Sequence, residues 1–113
     1  MDQIIRVHKD EDGAQFRYTI YYGTNDNFES VILPMGVWNK SVIINALIRA
    51  KYSQDQVEAI INNHFLAIGE WLDAKFVGST DPFIDSEYDG LQNWRKTCKQ
   101  LADEALAIYP AID

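Results

Sequence analysis

The spacing of apolar residues changes once along this chain, and that change divides it in two. Up to Leu33 they favour every second position, and from Asn39 onward every third or fourth. The clearest alternation runs from Ala14 to Tyr22, where Phe16, Tyr18, Ile20 and Tyr22 interleave with Gln15, Arg17, Thr19 and Tyr21. A strand with that pattern has one apolar face. Weaker strand segments flank it, Gln3 to Lys9 and Phe28 to Leu33. Asp10-Glu11-Asp12-Gly13 and Gly23-Thr24-Asn25-Asp26-Asn27 read as polar turns, and Pro34 with Gly36 closes the third strand. Three strands joined this way predict an antiparallel meander over about 3–9, 14–22 and 28–33.

The remainder predicts three helices, about 40–51, 54–76 and 87–108. Asn39 can cap the first, whose apolar residues Val42, Ile43, Ile44, Ala46, Leu47 and Ile48 cover enough circumference to need neighbours on two sides. Ser53 and Gln56 form the capping box of the second. Its stripe runs from Val57 through Ile60, Ile61, His64, Phe65, Ile68, Trp71 and Leu72 to Phe76, with Gly69 as a weak point and Gly78 as a stop. Asp81-Pro82 breaks helix geometry. The last helix starts near Ser86, carries Leu91, Trp94, Cys98, Leu101, Ala102, Ala105 and Ile108 on one stripe, and ends at Pro110. The expectation is a single two-layer α+β domain over 1–113, with helices covering the apolar face of the sheet.

Charge and composition narrow the function classes. Ten basic against seventeen acidic residues give a net charge of −7, which argues against a binder of phosphate backbones. No stretch is apolar enough to span a bilayer, and Met1-Asp2-Gln3 lacks a charged-then-apolar leader, so a cytoplasmic location without membrane contact is expected. One cysteine excludes an intramolecular disulfide.

Motifs for chemistry are sparse. Asp85-Ser86-Glu87-Tyr88-Asp89-Gly90 opens like a calcium loop, but the position that needs a bidentate glutamate is Lys96. The bland reading, a solvated helix start, is the better one. His64 lies on an apolar stripe with Asn62 and Asn63 beside it, which suits a partly buried structural histidine better than a base or metal ligand. His8 reads as exposed. Cys98 sits between Trp94 and Leu101 and reads as a packed thiol, although Lys96 and Lys99 would favour a thiolate. No nucleophile elbow, phosphate loop or zinc-protease motif occurs. No catalytic residue, metal ligand or cofactor is expected.

The aromatic residues say more. Tyr21 points away from the apolar face of its strand, where it either offers a contact surface or packs at the sheet edge, and Trp94 on the final helix is a second candidate partner contact, although a tryptophan in that position is more often core. The second helix shows more apolar stripe than a chain this short can cover, which favours a homodimer.

Val31-Ile32-Leu33-Pro34, Lys40-Ser41-Val42-Ile43-Ile44, Arg49 to Asp55 and Leu91-Gln92-Asn93-Trp94-Arg95-Lys96 resemble small prophage-encoded accessory proteins of the tail-fibre assembly type. The resemblance covers about a third of the chain and implies a non-catalytic accessory protein without a metal or cofactor site; it carries over no site residue. The leading expectation is therefore a non-enzymatic protein-interaction or assembly-accessory module. Two alternatives remain open: a small enzyme with an acidic cleft near residues 81–89, and an acidic protein that binds a DNA-binding partner.

Overall fold

A computed structural model describes residues 4–13, 15–24 and 27–111. Strands β1 (Ile4–Asp12), β2 (Gln15–Thr24) and β3 (Asn27–Ile32) form an antiparallel sheet in the order β1-β2-β3. Helices α1 (Lys40–Lys51), α2 (Gln54–Phe76) and α3 (Ser86–Ile108) follow. This is the α+β arrangement that the change of period predicts, with α3 beginning one residue before the expected position 87.

Both hairpins reverse later and more tightly than their polar composition suggests. Asp10, Glu11 and Asp12 belong to β1 rather than to a turn, with Asp10 directly opposite Arg17 on β2. Gly13, at φ 64°, starts the reversal. Gly23 and Thr24 likewise remain in β2, where Gly23 lies between Ile4 and Phe28. The expected strand residues Gln3 and Ala14, and Asn25-Asp26 of the second turn, lie outside the described residues.

Each helix begins at a side-chain acceptor. Asn39 accepts from the amide of Val42 at 3.0 Å. Ser53 and Gln56 make both bonds of the capping box, at 3.1 and 2.7 Å. Asp85 accepts from the amide of Tyr88 at 3.2 Å. These bonds satisfy amides that have no intrahelical partner. Gly69 does not interrupt α2, which runs its full 23 residues, about 35 Å of helix. Gly78 follows its end at φ 104°.

The inner face of β2 sets the core. Tyr18, Ile20 and Tyr22 are buried against Leu33, Trp38, Ile43 and Leu47 on one side and Trp94, Cys98, Leu101, Ala102 and Ala105 of α3 on the other. Trp38 stacks on Tyr18 at 4.2 Å between ring centres and donates its indole N–H to the Tyr109 carbonyl. α1 packs mainly on α3 and also reaches β3, and α3 reaches β1.

α2 breaks the expected pattern. It leans on α3 and does not cover the sheet. Among residues 54–85, Ile60 alone is buried. The radius of gyration is 18.4 Å, where a compact chain of this length would have about 13 Å. The accessible surface is 7816 Å², about 1,500 Å² above that of a compact monomer of this mass. α2 and the connector 77–85 therefore form an arm that stands off the body.

Gly23 gives a direct check of the second hairpin. A Cβ there would collide with the backbone carbonyl of Asn27, which cannot move without breaking the ladder. Gly23→Ala should cost about 1–3 kcal/mol in urea denaturation, whereas Gly69→Ala, with open space around it, should stabilise or leave stability unchanged.

Candidate functional site

The two residues expected at a contact surface end up in different places. Tyr21 lies on the outer face of the sheet, opposite Arg6 and Ser30, and is 41% exposed. With Arg6, Val7, His8 and Phe28 it lines a shallow groove of about 540 Å³. Ile4 and Ile32 are also exposed on this face, since residues of even number on β1 and β3 share the side of Tyr21. The His8 imidazole is exposed, as expected, and its Nε2 lies 2.8 Å from Asp10.

Trp94 belongs to the core instead. It is 8% exposed, donates its indole N–H to the Leu47 carbonyl at 3.1 Å, and lies 5.8 Å from the Tyr22 ring. Position 94 falls on the stripe of α3 that faces α1, so the apolar periodicity overrides any surface role. Its edge reaches a small groove with Glu29 and Lys51, and the Lys51 ammonium sits 5.0 Å from the ring centre. Cys98, one turn further on, is fully buried, and burial pushes its thiol up to about 12, against a smaller opposing effect of Lys51. It is a packed group whose surroundings disfavour the thiolate.

The most organised polar contact was not visible in the sequence. His64, midway along α2, donates from Nδ1 to the Asp85 carboxylate at 2.9 Å, across 21 residues. The carboxylate can only accept, so Nδ1 carries the proton. The other Asp85 oxygen caps α3. The imidazole stacks on Tyr88 at 3.5 Å and meets the edge of Phe83 at 5.6 Å. One turn pair along, Trp71 donates to the Asp81 carbonyl at 2.9 Å and packs edge-on against Phe83. The connector is thus folded back along α2, and His64 with Asp85 locks the base of the arm. Only the acid directly before the start of α3 hinted at Asp85; nothing local linked it to His64.

The acids of this segment do not converge on a common cleft. Asp81, Glu87 and Asp89 are exposed, and Asp85 is committed to its cap and to His64. Of the grooves described, the one that reaches this segment takes Glu87 alone from it, beside Tyr52, Gln56, Ala59 and Ile60. Among the described residues, no three His, Cys, Asp or Glu side chains are grouped to hold a metal ion. No helix among them is long and apolar enough to cross a membrane.

The arm instead presents apolar surface. Phe65 is 66% exposed, Leu72 52% and Phe76 92%. Spaced by seven and four residues, they lie along one side of α2 beside the half-buried Ile61 and Ile68. Leu66, Val77 and Ile84 add exposed apolar groups around them.

Two measurements check these placements. Trp94→Ala should cost about 3–5 kcal/mol in urea denaturation, and Tyr21→Ala about 1 kcal/mol or less. The Asp85 carboxyl is held below its ordinary 3.8, first by the His64 hydrogen bond and then by the Tyr88 amide. A depressed carboxyl stabilises the fold above its unfolded value, and that contribution drains away as pH falls through the folded one. Asp85→Asn should therefore be less stable than the parent at neutral pH and lose less stability between about pH 5 and about pH 3.

Comparison of the chain with protein-family models, with curated proteins and with solved structures finds no match.

Proposed function

We propose that this protein is a non-enzymatic interaction module, an accessory factor that docks a protein partner on its projecting arm. The observation that carries this reading is the exposed stripe of Phe65, Leu72 and Phe76 on a helix that does not contribute to the covering of the sheet. A chain of 113 residues has little apolar surface to spare. Large aromatic and aliphatic groups held on a rigid, capped helix are the anchors a helix-recognition surface uses. The assembly-accessory role suggested by the sequence resemblance suits such a part.

A second contact surface is supported by the outer sheet face, where Tyr21, Phe28, Ile4 and Ile32 are exposed together. That face would seat a partner independently of the arm.

The test is retention of partners from source-cell lysate by three immobilised baits: the parent, Phe65→Ser/Phe76→Ser, and Tyr21→Ala. Phe65 and Phe76 are largely exposed and Tyr21 is 41% exposed, so the baits should fold alike, which circular dichroism verifies. A stoichiometric protein held by the parent and lost from the arm variant is the expected result. A partner lost only with Tyr21→Ala moves the site to the sheet. Equal retention by all three, or a bait that retains nothing, refutes the arm as a docking surface.

A further inference from the structure

We infer that the occupant of the arm is a basic amphipathic segment of another protein, with lysines or arginines flanking an apolar ridge. The inference rests on the arm being a docking surface and adds the chemistry of what docks.

Its ground is where the charge lies. Residues 54–89 contain eight carboxylates and one lysine, a net charge of −7. The rest of the chain holds nine acids and nine bases, so the entire net charge of the protein belongs to the arm and the first turn of α3. Few of these acids are used internally. Asp85 is taken by His64 and the Tyr88 amide. Among the described residues, the ion pairs of Lys9 and Lys40 lie elsewhere, with Glu11 and Asp103. Lys75, the one cation of the arm, lies over the Trp71 ring at 4.8 Å.

The acids also stand in the right place. On a helix of 3.6 residues per turn, Glu58 shares the side of Phe65 and Phe76, and Asp55 and Asp73 lie about a sixth of a turn beyond. Glu70 follows further round, next to Leu66. The apolar stripe is thus bordered along its exposed side by carboxylates. A ligand helix with an apolar ridge and cationic flanks matches both features at once.

The same arithmetic disfavours the other occupants. A second copy laid arm against arm would set two net-negative surfaces against each other across an interface edged with carboxylates. A bilayer with anionic headgroups repels the arm, and a surface-seeking helix carries lysine and arginine on its polar side, where α2 carries acids. Nucleic acid is repelled for the same reason.

The experiment is calorimetric titration of the full chain with three helical peptides of about 18 residues, with leucine at every third or fourth position. Their remaining positions are lysine, glutamine or glutamate. The lysine peptide should bind with a stoichiometry of one. The glutamine peptide should bind about tenfold more weakly, and the glutamate peptide not measurably. Raising salt from about 0.1 to about 0.5 M should weaken the lysine peptide about tenfold. Phe65→Ser/Phe76→Ser, which keeps every charge, should weaken it by at least about tenfold.

Equal affinity for the lysine and glutamine peptides on the parent, reduced in the serine variant, overturns the charge inference and leaves the docking surface standing. Lysine-peptide binding that ignores the serine substitutions overturns both. So does failure of all three peptides to bind. A dimer in light scattering that the serine variant abolishes makes a second copy the occupant and overturns the inference.

Discussion

Tyr18, Ile20 and Tyr22 leave one face of β2 and are buried against α1 and the C-terminal half of α3. A three-stranded sheet has a single narrow apolar face, and two helices suffice to cover it. α1 supplies Ile43 and Leu47, and α3 supplies the run from Trp94 to Ala105. Once those are seated, no sheet surface is left for α2. The capacity of that one face decides the architecture: a closed core of sheet, α1 and α3, and a third helix that must find other company.

The company α2 finds is the connector that follows it. His64 reaches Asp85, Tyr88 stacks on the imidazole, and Trp71 holds Asp81 and Phe83. Asp85 serves two purposes, capping α3 and bonding to His64, so the direction in which α2 leaves the body is tied to the first turn of α3. The body and the arm are joined by a hydrogen-bonded hinge point rather than by a deep core. Such a contact orders the arm while burying little of it, which is why Phe65, Leu72 and Phe76 stay in solvent.

Apolar and acidic surface coincide on the arm. Exposed apolar groups promote self-association, and a high local charge opposes it. Six carboxylates against one lysine over residues 54–85 oppose self-association of an arm that carries an exposed aromatic stripe. The outer sheet face, with Arg6, His8 and Tyr21, has a different character and offers a separate surface.

By itself the sequence determined the local structure. The alternation around Tyr18 and Tyr22, the cap at Asn39 and the Ser53–Gln56 capping box placed the strands and set the helix starts, because those signals act over a few residues. It missed the lengths of the hairpins, where the backbone ladder continues through the polar residues Asp10 to Asp12, opposite Arg17 to Gln15. It left Trp94 open between core and contact, and the residue is core, since periodicity shows that a stripe is apolar but not which stripe the core accepts. The length of the α2 stripe signalled more apolar surface than the chain can cover, but not which helix the sheet would leave out. Only the tertiary structure decided that α3 is buried and α2 stands free, and only it joined His64 to Asp85. Both outcomes depend on how much sheet surface exists to be covered, a quantity that belongs to the assembled fold and to no segment of the chain.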